Sequence, residues 1–232
     1  MNLQYYLNLQ RQLASKVIIP ATGEGYIPRK DDLVFSFDIC YKDEKAVVAC
    51  ILDKWKGEQV CCFIAETKIN FPYIPRFFCF REGPPILTVL RAIKNQYNYK
   101  PDLILVEGHG TSHPVKCGLA SWVGLNTDCP VIGCAKSTLL PYNKTALYKK
   151  GEYSLIELDG QIVGAALITR NNVKPVFISS GFKVSIQETI HIISTLTPHY
   201  RIPEPLRKAD HLAKRFANGE SEMGLLNLGF LN

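Results

Sequence analysis

Two short apolar runs, each ending on a single charge, constrain this chain more than anything else in it. Residues 103–106, LILV, stand between Pro101-Asp102 and the break EGHG, and residues 131–135, VIGCA, run straight into Lys136. A run of four or five apolar residues without polar alternation reads as a strand buried on both faces, the pattern of a parallel sheet covered by helices. Such strands deliver their last side chains to the carboxyl edge of the sheet, where ligands of open α/β sheets bind. Glu107 and Lys136 therefore take equivalent strand-end positions, an acid and a cation facing one shared site. Gly108 and Gly110 follow Glu107, with His109 and His113 beside them, and backbone without side chains lets a ligand come close. By spacing alone, a strand-end acid is equally a turn residue or helix cap, and a glycine pair equally a tight turn.

An upstream strand carries a second carboxylate. In residues 33–40, Val34, Ser36, Asp38 and Cys40 share one face, and Leu33, Phe35, Phe37 and Ile39 the other. Asp38 interrupts a strand that otherwise reads as core, and a buried carboxylate needs a cation or hydrogen-bond donors. The alternative is an edge strand with Asp38 in solvent. Strand patterns at 46–52 and 60–66 follow, separated by a polar stretch with Gly57, so a three-stranded meander precedes helix–strand alternation. That order belongs to a mixed α/β sheet. Further strands are expected at 153–158, 162–169 and 175–180. Helices are expected over residues 1–17, from Pro84 or Pro85 with Glu82 just ahead, from Ser185 through Leu196, and from Glu204-Pro205 onwards. Between meander and helix, Pro72 and Pro75 stiffen Tyr73 and Ile74 into a rigid aromatic tip.

With 232 residues, 47% of them apolar and 21% charged, the chain fits one globular domain spanning 1–232. No apolar run approaches the ~18 residues of a membrane span, and the N-terminal stretch lacks a charged-then-apolar secretory pattern. A cytoplasmic protein with no membrane partner is expected. The eight cysteines form no C-x-x-C or zinc-type spacing and read as buried, reduced thiols, with Cys117 beside Lys116 the candidate for reactivity. A net charge of +6 argues only weakly for an anionic partner. The local clusters at 144–150 and 201–215 are either nucleic-acid contacts or solvated faces. The tail GLLNLGFLN is apolar enough to dock on the body or on a partner.

Four blocks, in order, resemble the endonuclease V family of inosine-directed nucleases: FDIC around Asp38, FPYIPRFFCFRE at 71–82, EGHGTSHP with GLAS and IGCAK at 107–136, and YRIPEPLRKAD at 200–210. The resemblance implies a ribonuclease H-like mixed sheet with flanking helices, in which the first and fourth strands are neighbours and Asp38 meets Glu107. It implies a Mg²⁺-dependent endonuclease, with Mn²⁺ as a substitute ion, acting as a monomer in DNA repair. The expected substrate is deoxyinosine in DNA, cut at the second phosphodiester 3′ of the lesion to leave 3′-hydroxyl and 5′-phosphate. An inosine-specific endoribonuclease acting on RNA and a non-cleaving inosine-binding module are the alternatives.

By the same resemblance Asp38 and Glu107 bind the metal, while Glu82 and Asp210 complete its outer shell or a second position. Lys136 meets phosphate charge, and His113 positions phosphate or water. Pro72, Tyr73 and Ile74 form a wedge into the base stack, and Gly108, Gly110 and Gly133 line a slot for the extruded base. Three positions depart from the family pattern: Glu107 replaces aspartate, Arg76 replaces glycine and Phe182 replaces histidine. The extra methylene of Glu107 adds ~1.5 Å of reach, which bears on metal position and on the choice between Mg²⁺ and Mn²⁺.

Overall fold

The structure is a computed structural model that describes residues 1–144, 148–220 and 224–231. Three strands open the sheet, β1 (Leu33–Lys42), β2 (Lys45–Lys54) and β3 (Gln59–Lys68), paired antiparallel in sequence as the meander predicts. β4 (Leu103–Glu107) then lies parallel to β1, and β5 (Val131–Ala135) parallel to β4. β6 (Tyr153–Leu158), β7 (Gln161–Leu167) and β8 (Val176–Phe182) extend the other side antiparallel, and β9 (Leu225–Leu231) pairs parallel with β3. The resulting order is β6-β7-β8-β5-β4-β1-β2-β3-β9.

Helices cover both faces, which explains why β4 and β5 are apolar without alternation. Phe35, Phe37, Phe63, Ile104 and Val106 pack on α2 (Phe78–Tyr97) and α3 (Leu119–Thr127). On the opposite face, Val34, Leu103, Leu105 and Ile132 meet α4 (Ile186–Thr195), while Val47, Ala49 and Ile51 meet α5 (Glu204–Ala217). α4 starts at the expected cap, with the Ser185 side chain accepting from the Glu188 amide. The N-terminal helix α1 spans Leu3–Ala14 and buries one residue fully, Gln10.

One expectation needs correction. α2 begins at Phe78, not at Pro84 or Pro85, so both prolines and Glu82 lie inside it. Pro84 has no amide to offer the Phe80 carbonyl, a defect of about 3 kcal/mol in a helix interior. Burial of Pro85, Ile86, Leu87, Val89, Leu90 and Ile93 along the same helix offsets it. The basic clusters are largely engaged within the chain. Lys150 donates to the carbonyls of Thr197 and Pro198, Arg201 to those of Lys136, Lys174 and Pro175, and Arg207 pairs with Glu204. The apolar tail is β9, docked on the body; its last residue, Asn232, lies outside the described residues. Among the described residues no helix is long and apolar enough to cross a membrane.

Candidate active site

The parallel register pairs Phe37 with Val106, so Asp38 and Glu107 are the next side chains along β1 and β4, on the face that α5 covers. Asp210 projects from α5 onto the same spot. Oxygens of Asp38, Glu107 and Asp210 all lie within 4.8 Å of one another, the one acidic cluster of this size among the described residues. Lys136, at the end of β5, holds both oxygens of Glu107 at 2.8 and 2.9 Å. Lys214, one turn along α5, pairs with Asp210 at 2.6 Å.

Burial, and next the Glu107 carboxylate, push Asp38 up to about 8, well above the usual carboxylate range. Burial also raises Glu82, against the opposing effect of the Tyr41 hydroxyl, which donates to its Oε1 at 2.9 Å. Asp210 behaves differently: burial opposes its ionisation, but the hydrogen bond and charge of Lys214, with Lys136, hold it below its ordinary value.

This donor set fits a divalent cation. Its oxygens are hard ligands, and oxygens gathered within 4.8 Å of one another are close enough to share one ion. The raised Asp38 is what crowded, half-desolvated carboxylates show before a cation offsets their repulsion. Glu82, on α2, is outside the trio but lines the same cavity and feels the charges of Asp38 and Glu107.

A cavity of about 420 Å³ opens beside the trio, walled by Gly108, Gly118, Leu119, Ala135 and the 73–76 tip. Gly108 stands where the slot requires it, but Gly110 and Gly133 do not line this cavity. They serve behind the wall. A Cβ on Gly133 would sit 2.5 Å from the Gly108 carbonyl oxygen, and one on Gly110 would sit 2.2 Å from that of Ser180. Gly118 is a wall residue that the sequence pattern missed, although the GLAS block contains it.

Tyr73 is 67% exposed at the tip of the loop, with Pro72 exposed and Ile74 half-buried beside it. Both feet of the loop are tied down. Arg81 Nη1 donates to the Phe71 carbonyl at 2.7 Å, and the Arg76 carbonyl meets His113 Nε2 at 2.9 Å. Arg76 itself sits at φ 74°, the left-handed region, where glycine would be free of strain. The His113 Nδ1 accepts from the Val115 amide, so both ring nitrogens are occupied inside the protein. Burial pushes His109 and His113 down to about 4, leaving both neutral at neutral pH. Cys117 is buried and its thiol pushed up to about 12, an unreactive state. Phe182 is buried too, its Cβ close against Gly124, so this departure is apolar packing.

A larger hollow, about 690 Å³, opens at the other end of the sheet by the C-termini of α2 and α3. Its rim cations Arg91, Lys94 and Lys100 suit the negative ends of those helices, and it holds no acidic cluster of metal-binding size among the described residues.

Known proteins share the sequence pattern and the fold. A protein of Dictyoglomus turgidum named Endonuclease V is 46% identical over 165 residues, covering 71% of each chain. The crystal structure of the Endonuclease V of Streptomyces avermitilis superposes with a TM-score of 0.82 at 32% identity, covering 93% of each chain. An Endonuclease V of Ciona intestinalis, solved with a 24mer DNA containing an inosine followed by a ribo-adenosine, shares the fold with a TM-score of 0.81 at 24% identity, covering 94% of this chain and 98% of that one. Residues 12–211 match the family described as Endonuclease V. The chain belongs to the endonuclease V family of nucleases.

Proposed function

We propose that this chain is a Mg²⁺-dependent endonuclease that recognises deoxyinosine in DNA and hydrolyses the second phosphodiester 3′ of it, in repair. The observation that carries this reading is the convergence of Asp38, Glu107 and Asp210 beside a glycine-walled cavity under an exposed aromatic tip. Tyr73, stiffened by Pro72 and Pro75, enters the stack at the opened base pair, as apolar wedges do in kinked duplexes. The extruded purine enters the cavity, where the close approach of Gly108 and Gly118 accepts hypoxanthine and leaves no room for an exocyclic amine at C2. Lys136, fixed by Glu107, presents its cation to the phosphate. Asp38, Glu107 and Asp210 would hold the divalent ion, which when bound polarises the phosphate and acidifies the attacking water. Water oxygen bonds to phosphorus, the P–O3′ bond breaks and a proton passes to O3′, leaving 3′-hydroxyl and 5′-phosphate. His113, occupied by Arg76, acts here by holding the wedge loop.

Matched DNA and RNA oligonucleotides with one inosine each, incubated with Mg²⁺ or Mn²⁺, test the reading. The DNA strand is expected to be cut two phosphodiesters 3′ of the inosine, and not when guanosine replaces it. Faster cutting of the RNA would make the chain an endoribonuclease instead; retention of inosine strands without cutting in either metal would make it a binding module. Glu107→Asp, which withdraws the carboxylate from Lys136, is expected to raise the Mg²⁺ rate relative to Mn²⁺.

The raised Asp38 sets a pH dependence with a definite sign. Its folded-state value, about 8, lies above the unfolded value near 3.8, so the metal-free native state keeps a proton that the unfolded chain has released. Stability of the metal-free protein therefore falls as pH rises from about 4 to about 8, and a divalent ion offsets the loss. The gap in Tm between Mg²⁺-loaded and chelator-treated protein is expected to widen from pH 6 to pH 9. A gap independent of pH would show that Asp38 is not a ligand.

A further inference from the structure

Gln10 is a glutamine buried to 1% exposure in a helix that has no part in the acidic cluster. Its side-chain nitrogen faces three acceptors: the Cys117 carbonyl at 2.6 Å, the Arg76 carbonyl at 3.2 Å and the Cys79 sulfur at 3.6 Å. Three acceptors fix the amide with its NH₂ group toward them. Its Oε1 is buried with no partner among the described residues. An unpaired buried oxygen is a cost that a leucine of similar size would not carry. What the glutamine adds is therefore its two hydrogens, and they bridge two functional segments. Cys117 immediately precedes Gly118 on the wall of the base cavity, and Arg76 ends the wedge loop. His113, from the loop leading to that wall, meets the same Arg76 carbonyl.

We propose that Gln10 is a positioning residue that sets the distance between wedge and base cavity, so that α1 determines how well the chain opens a duplex at inosine. The inference rests on the nuclease reading above and names a determinant of its substrate form. In a duplex, Tyr73 must enter the stack while the base enters the cavity, and the two events share one geometry only if Arg76 and Cys117 are held together. A single strand has no base pair to open and needs the cavity alone. Loss of the bridge therefore penalises duplex substrate selectively, and it does so in KM, because the wedge contributes to binding before the bond is cut.

The test compares kcat and KM of Gln10→Leu with those of the wild-type chain on duplex and single-stranded DNA carrying one deoxyinosine. Duplex kcat/KM is expected to fall about tenfold, the loss of one to two hydrogen bonds' worth of positioning, with kcat held and single-strand kcat/KM within about twofold. In a Tyr73→Ala background, adding Gln10→Leu is expected to cost nothing further on duplex. Gln10→Asn keeps the amide but is one methylene shorter and reaches only one carbonyl, so it should fall between and serves if the leucine variant does not fold. Equal losses on both substrates would assign Gln10 to general support of the fold and overturn the proposal, as would an unchanged duplex KM in either folded variant. If the wild-type chain binds inosine strands without cutting them, the nuclease reading fails, and the duplex-to-single-strand ratio is read from dissociation constants instead.

Discussion

Asp38→Asn is expected to leave a folded protein that still retains inosine-containing duplex but cuts it about 10³-fold more slowly, the scale of losing a principal source of transition-state charge stabilisation. The amide keeps the shape and the hydrogen bond from the Ile39 amide, now to its carbonyl oxygen, but cannot carry charge. In the metal-free state the same change should raise Tm at pH 9, because it removes one of the crowded carboxylates rather than breaking a pair. Lys136 remains matched by Glu107 and Lys214 by Asp210. A single-turnover assay alongside a binding isotherm reads both effects. A variant cutting within tenfold of wild type would remove Asp38 from the metal site.

Gly133→Ala is expected to destabilise the fold by about 1–3 kcal/mol, the usual cost of forcing one methyl into filled space, and to depress cleavage as well. The added Cβ would lie 2.5 Å from the Gly108 carbonyl oxygen and 3.0 Å from the Gly110 amide nitrogen, all backbone. Nothing there can rotate away. β5 is locked between β4 and β8, so the loop at 108–110, whose Gly108 and His109 line the cavity, is what must move. For a chain of this length each kcal/mol shifts Tm by roughly 2–4 °C, so thermal melting resolves the change. Unaltered Tm and activity would mean that the loop has slack, and that the cavity wall is set elsewhere.

The sequence made the centre of this site legible and left its surroundings obscure, for separable physical reasons. The apolar runs before Glu107 and Lys136 forced two buried parallel strands, and a mixed sheet then brought β1 beside β4 with Asp38 level with Glu107. Glycines were harder to read, because the letter says that backbone comes close without saying from which side. Gly108 and Gly118 line the cavity and Gly110 and Gly133 do not, yet a Cβ on Gly118 would meet backbone just as one on Gly110 or Gly133 would. The Pro84-Pro85 pair hid the start of α2, since tertiary burial tolerated a defect that local rules treat as a boundary. Gln10 left no pattern at all: one polar letter on a half-apolar helix is indistinguishable from a solvated side chain until its partners, 66 and 107 residues away, are folded around it.

β9 carries a consequence for how the protein comes into being. It is the only cover on the outer edge of β3 among the described residues, yet roughly 150 residues of chain separate the two strands, on the order of ten to thirty seconds of ribosomal elongation. Throughout that interval the meander presents a row of unsatisfied amides and carbonyls to its surroundings, a template for pairing with neighbouring nascent chains. Truncation ahead of Leu225 would make that temporary hazard permanent, and the outcome to look for is insoluble aggregate with the acidic trio itself intact.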